Sequence, residues 1–272
     1  MNKKEFAGEF IGTFLLVLFG CGSVAATNLY GSHQGLFQIG IVWGIGVTLA
    51  IYMTRNLSCA HFNPSVTLAM AVSGRMAPRK VPCYLIAQFT GSFTADLVLY
   101  GVFAPAISAY EEANGIIRGT FESVATAKMF GEYYVQPGNA VQISMGLAAA
   151  AELFGTFLLV LTIFCLTEGC NTGRPGTHEA PVFIGLTVTS VICLHAPLTQ
   201  AGLNPARDFS PRLVALMFGW GEWAMPDAKG GFFWVYMLAP IIGGILAGLL
   251  FTHVLEPLMK TASASCCEAA ES

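Results

Sequence analysis

Two asparagine–proline pairs carry the chemistry in this chain: Asn63-Pro64, followed by Ser65, and Asn204-Pro205, followed by Ala206. Proline suits the first position of a helix, where its missing N–H would have been unpaired anyway. Asparagine just before it is a favoured cap, its side-chain oxygen accepting a backbone N–H of the first turn. That bond fixes the carboxamide and leaves its NH2 group to donate elsewhere. A single such pair is an ordinary helix cap. Two copies brought tip to tip would present two amide donors and two positive helix ends at one point. A solute oxygen can accept there, whereas a proton or metal ion is repelled.

The pairs belong to a duplicated chain. The run Glu9-Phe10-Ile11-Gly12-Thr13-Phe14-Leu15-Leu16-Val17-Leu18 returns as Glu152-Leu153-Phe154-Gly155-Thr156-Phe157-Leu158-Leu159-Val160-Leu161. Composition sets the solvent: 54% of the 272 residues are hydrophobic and 11% charged, against about 25% charged in a soluble domain. Apolar stretches near 6–27, 36–54, 81–104, 141–166, 181–197 and 232–255 approach or exceed the roughly 20 residues that cross a bilayer. Shorter ones follow each Asn-Pro pair, near 64–73 and 205–217, and reach about half-way. Three crossings per half force the second half to enter from the opposite face. The expected fold is an all-α membrane protein: six transmembrane helices plus two re-entrant half-helices in two inverted repeats, with a site at the midplane. Residues 1–255 are read as one channel domain (repeat one about 6–104, repeat two about 141–255) and 256–272 as a cytoplasmic polar tail.

Loop charges orient this arrangement. Lys3, Lys4, Arg55, Arg75, Arg79, Lys80, Arg174 and Lys260 fall on one side, against Arg118, Lys128 and Lys229 on the other, plus Arg207 and Arg212 beside the second short segment. Both termini are therefore expected in the cytoplasm of a multi-pass cell-membrane protein, with the long acidic loop 105–140 outside. A net charge of −3 gives no case for nucleic acid. The amino end superficially resembles a secretion signal but is too long and is interrupted by Glu9. The eight cysteines match no zinc spacing and imply no disulfide framework. Cys266-Cys267 are read as exposed thiols, with lipidation as the alternative.

From Glu9 to about Leu255 the chain resembles the aquaporin superfamily (major intrinsic proteins). The carrying residues are Ala60-His61-Phe62-Asn63-Pro64-Ser65-Val66 and Gly202-Leu203-Asn204-Pro205-Ala206-Arg207-Asp208. Ser65 departs from the family's Asn-Pro-Ala but remains small. The resemblance implies a passive channel without cofactor, metal or catalytic residue, assembled as a homotetramer with one pore per subunit. It also implies a selectivity filter of Trp43, Ile192, Ala201 and Arg207. An arginine fork donates along one wall, while Trp43 and Ile192 make an apolar wall and Ala201 leaves room, which fits a polyol.

Asp208, Arg212, Pro240 and Ile241 lean toward the glycerol-conducting branch. The filter resembles that of plant nodulin-like intrinsic proteins, and Ile192 stands where water-selective members have histidine. Glycerol with water is the expected cargo; water alone, urea, undissociated lactic acid and metalloid hydroxides are the alternatives. His195 falls outside the filter by register.

Glu9 and Glu152, ionisable inside spans, need partners and are read as structural acceptors of backbone near their own half-helices. A membrane enzyme or proton-coupled transporter using Glu9, Glu152, His61 or His195 is the rival class, and a closed junction protein the second. No nucleophile–base pair is legible. Pro211 is expected to distort the second short helix after about one turn, and Trp220, Trp223 and Trp234 to lie in an interfacial belt.

Overall fold

Apolar length and caps place the helices. In the computed structural model, which describes residues 2–227 and 231–261, no strand is present among the described residues. The helices are α1 (Lys3–Tyr30), α2 (Leu36–Thr54), α3 (Pro64–Val72), α4 (Val81–Asn114), the short α5 (Val124–Ala127), α6 (Met145–Thr167), α7 (Ala180–Thr199), α8 (Pro205–Met217) and α9 (Ala239–Leu250). π-helical turns at Phe233–Leu238 and Phe251–Leu255 flank α9, and that last span runs on helically to Thr261. Asn2 caps α1 by accepting from the Lys4 N–H at 3.1 Å. Gly31, at φ 60°, closes its far end. Six of the described helices are long and apolar enough to cross a membrane. Their outer faces expose Phe37, Met53, Val102 and Leu194, which lipid solvates and water does not. The chain is a multi-pass membrane protein.

The duplication becomes a pseudo-twofold. α1 packs on α2 and α4, and α6 packs in the same way on α7 and the last span. Each half-helix lies against the closing span of the other half, α3 on α9 and α8 on α4. The halves interlock and cannot separate as units. The axis passes where α2 meets α7. A Cβ on Gly44 would lie 2.5 Å from the Gly185 carbonyl oxygen, and one on Gly185 would lie 2.3 Å from that of Gly44. Around this crossing Thr189 donates to Gly40 O at 2.9 Å and Thr48 to Pro181 O at 3.1 Å.

Three expectations change. α4 continues to Asn114, so the first part of the 105–140 segment is helical and includes Pro105. Its last turn is held by Glu111, which pairs with Arg118 at 2.8 Å and accepts from Thr126 at 2.8 Å. Gly115 at φ 63° ends it. α8 runs unbroken through Pro211; the ring removes one N–H, but the buried helix is clamped by α4 and the last span, and packing overrides the local penalty. Trp220 is no interfacial residue. It is fully buried, its indole N–H donating to Ser123 O and Thr126 Oγ1 at 3.2 and 3.1 Å. Trp234 is exposed, as a belt residue is. Lys229 and Cys266-Cys267 lie outside the described residues.

The crossing gives the first test. Gly44→Leu and Gly185→Leu both force backbone apart at the axis, with overpacking costs of about 1–3 kcal/mol or more. Each should lower the unfolding temperature in detergent by a similar amount; a neutral pair would contradict the close approach.

Candidate functional site

At mid-depth both half-helices begin at their asparagines. Asn63 Oδ1 accepts from the Ser65 N–H at 2.8 Å, and Asn204 Oδ1 from the Ala206 and Arg207 N–H groups at 3.0 and 3.3 Å. Each carboxamide then reaches across. Asn63 Nδ2 donates to the Leu203 carbonyl at 2.9 Å, and Asn204 Nδ2 to the Phe62 carbonyl at 2.8 Å. The two dips are tied tip to tip. An amide nitrogen has two hydrogens, so one on each asparagine stays free for the space both residues line.

The coil before each half-helix is set by a buried carboxylate. Glu9 accepts from the His61 and Phe62 N–H groups at 3.0 and 2.8 Å, from Ser58 Oγ at 2.8 Å and from Gln88 Nε2 at 2.8 Å. Glu152 accepts from the Gly202 and Leu203 N–H groups at 2.9 and 2.7 Å and from Thr199 Oγ1 at 2.5 Å. One residue earlier, the Ala60 N–H donates to Ser58 Oγ at 3.0 Å and the Ala201 N–H to Thr199 Oγ1 at 3.1 Å.

A trans peptide is planar and points its carbonyl opposite to its N–H. With the N–H groups of Ala60, His61, Ala201 and Gly202 turned to these acceptors, the carbonyls of Cys59, Ala60, Gln200 and Ala201 face the other way. The same holds for His61 and Gly202, whose peptides are fixed through Phe62 and Leu203. All six residues line one cavity of about 410 Å³ that also contains both asparagines. The conformation is strained: Ala60, Phe62, Gln200, Ala201 and Leu203 all have φ between 54 and 67°, a region that costs non-glycine residues of order 1 kcal/mol or more each.

Opposite this polar line the same cavity is walled by Leu16, Val47, Ile51, Leu159, Ile184 and Val188. At its far end stand Trp43, Ile192, Ala201 and Arg207, all buried and all lining it. The Arg207 guanidinium carbon sits 4.4 Å from the Trp43 ring centroid, a cation–π distance. The indole seats in a notch left by Gly20, whose Cβ would lie 2.2 Å from it. Arg207 Nη1, although buried, has no hydrogen-bond partner among the described residues. His195 does not line this cavity; its Nδ1 lies 3.1 Å from Val191 O.

Glu132 escaped the sequence reading. From the 115–144 segment its carboxylate pairs with Arg207 Nη2. Its backbone is gripped at both ends: the N–H donates to Asp208 Oδ1 at 2.7 Å, and the carbonyl accepts from Arg212 Nη2. Arg212 in turn bridges to Asp208 at 2.8 Å and lies 4.6 Å from the Tyr133 ring centroid. Asp208 and Arg212 thus act on Arg207 through Glu132. Burial pushes the Glu132 carboxyl up to about 8, against the pull of the Arg207 guanidinium. The sequence signal was present only as an acidic residue in a long loop, with no spacing to link it to position 207. Pro240 is buried at the start of α9 and Ile241 half-buried beside it; neither lines the cavity.

The family model for major intrinsic proteins matches residues 1–251. The chain belongs to the major intrinsic protein family. It is 39% identical over 254 residues to the glycerol uptake facilitator protein of Haemophilus influenzae, covering 93% of this chain and 94% of that protein. It is 36% identical to the propanediol uptake facilitator of Citrobacter freundii, covering 93% and 92%. Among solved structures, the aquaglyceroporin from Plasmodium falciparum superposes with a TM-score of 0.83 at 24% identity, over 96% of this chain and 100% of that one. This member of the family is a passive channel protein and not an enzyme.

The carboxylates give the second test. Glu9→Ala or Glu152→Ala strands two buried N–H groups and releases a strained coil, at a cost of roughly 3 kcal/mol or more. Thermal unfolding in detergent should move down strongly for both and by similar amounts. A wild-type unfolding temperature in either would refute their role as anchors.

Proposed function

We propose that the chain conducts glycerol and other small uncharged polyols, with water, down their gradients, and excludes protons and ions. The observation that carries this reading is the one-sided lumen. Six carbonyls that accept no hydrogen bond from the described residues and two amide donors run along one face, with an aliphatic wall opposite. A hydroxyl both donates and accepts, so a polyol can hand its hydroxyls along that line while its carbons slide on the other wall. The relatives named for glycerol and propanediol uptake, both small polyols, support this cargo.

Arg207 acts as the filter donor, with Trp43 and Ile192 as the apolar side and Ala201 as the space. Its fixed charge repels cations, and the half-helix ends at Asn63 and Asn204 repeat the barrier at the midplane. Pro64, Ser65, Pro205 and Ala206 start those helices and keep the crossing narrow. The channel unit is taken as 1–255, with 256–272 as a polar tail. The excess of lysine and arginine in the loops on their side supports both termini lying on the cytoplasmic face of the cell membrane, and the assembly is a homotetramer with a pore in each subunit.

Stopped-flow light scattering on proteoliposomes tests the cargo: glycerol and 1,2-propanediol should equilibrate well faster than in empty vesicles. Arg207→Ala should widen the accepted solutes, and an unchanged solute ranking would remove it from the filter. The Glu132 pair adds a pH signature. Above a pH of about 8 the ionised carboxylate pins Arg207 against the wall, so wild-type glycerol flux should rise between pH 6 and 9. In Glu132→Gln the profile should be flat; a profile like that of the wild type would detach Glu132 from the filter.

A further inference from the structure

The opposite end of the cavity carries charges that the passage of neutral solutes does not use. Three arginines, Arg55 after α2, Arg75 after α3 and Arg174 between α6 and α7, line this mouth together with Thr167 and Thr177. It is the mouth on the side of the chain ends, since Lys80 pairs with Glu5 at 2.5 Å and Arg75 with Glu256 at 2.6 Å.

Arg75 is compensated. It bonds Glu168 at 3.0 Å as well as Glu256, and Glu256 is shared with Lys260 at 2.8 Å. Arg55 and Arg174 pair with no carboxylate among the described residues. Arg55 is nevertheless fixed in place: Nη1 donates to Thr177 O at 2.7 Å, Nη2 lies 3.1 Å from His178 Nδ1, and the guanidinium carbon sits 5.8 Å from the Tyr52 ring centroid. Those contacts use part of its five donors and leave the others toward the mouth. Both side chains are half-buried. Glu179, in the same loop as Arg174, is exposed and forms no part of the cavity wall.

A held guanidinium with spare donors, and a second beside the same opening, suit an oxyanion, which arginine forks bind in bidentate fashion. We propose that Arg55 and Arg174 form an anion site in this mouth for inorganic phosphate or the phosphate monoester of a small polyol. Its occupancy obstructs the pore. The obstruction rests on the channel reading; the binding does not. The anion stops there because the wall beyond, Ile51, Val47, Ile184 and Val188, offers nothing to solvate its charge. The mouth would then sense the phosphorylated form of what the channel admits, so a phosphorylating reaction on that side slows further uptake.

Two measurements on the full chain separate the claims. Calorimetric titration of the detergent-purified protein with inorganic phosphate, against sodium chloride at equal ionic strength, reads binding. Wild type should bind in the millimolar range, and Arg174→Gln should weaken this by about fivefold or more, the loss of roughly one charge-assisted contact. Glycerol efflux from proteoliposomes, with and without about 10 mM phosphate on both faces, reads obstruction as a ratio within each protein. At that concentration a millimolar site is mostly filled, so wild-type flux should fall to about half or below. The ratio should return toward one in Arg174→Gln and in Arg55→Gln; because Arg55 also anchors its loop, the Arg174 variant decides.

Absence of phosphate binding in the wild type overturns the site. Equal slowing in wild type and Arg174→Gln, or equal slowing by chloride, overturns it too. Slowing in phosphatidylglycerol vesicles before any phosphate is added would assign the same site to a lipid headgroup. A protein that binds phosphate but moves no glycerol would end the channel reading and leave the site standing.

Discussion

Backbone within a membrane finds no water except along a lumen, and this chain places two stretches of coil there with one side turned into the protein. The arrangement that makes this tolerable is the pair of buried carboxylates, Glu9 and Glu152, each taking two consecutive N–H groups of the coil ahead of a half-helix. Everything in the lumen follows from that choice of side. Once the N–H groups are satisfied within the protein, peptide planarity turns the carbonyls toward the cavity. The protein settles one half of each peptide and leaves the other half to the permeating molecule. It also holds non-glycine residues at positive φ, where an isolated coil would relax.

The asparagines extend the same logic across the pseudo-twofold. Each carboxamide caps its own half-helix through oxygen and binds the other half through nitrogen. Since each half-helix also lies against the closing span of the opposite repeat, neither repeat completes its own core. Rigidity at the crossing therefore comes from interlock, with two equivalent sets of bonds holding one point.

The repeats are equivalent at the midplane and unequal beyond it. By register Val66 occupies the place in the first half-helix that Arg207 occupies in the second, and both line the cavity. Of these two equivalent positions only the second thus carries a buried charge. That charge depends on a segment outside the repeat pattern, since Glu132 is brought in by the 115–144 connection and fixed through Asp208 and Arg212. The duplicated core and a connection outside the repeat therefore meet at a single guanidinium.

The sequence alone determined the solvent, the crossings and the duplication. Length and apolarity of a span, and the capping chemistry of Asn-Pro, act within a few residues and are visible as local patterns. Equivalence of Glu9 and Glu152 was legible for the same reason, as a repeated run. Tertiary structure decided what depends on residues far apart in the chain. Glu132 reaches Arg207 from another segment, Trp220 is buried because it packs under α5, and α4 continues past Pro105 because Arg118 and Thr126 hold its last turn. Pro211 leaves α8 intact because two neighbouring spans enclose it. Local propensity speaks for a residue and its near neighbours; in a close-packed bundle the deciding contacts come from other helices.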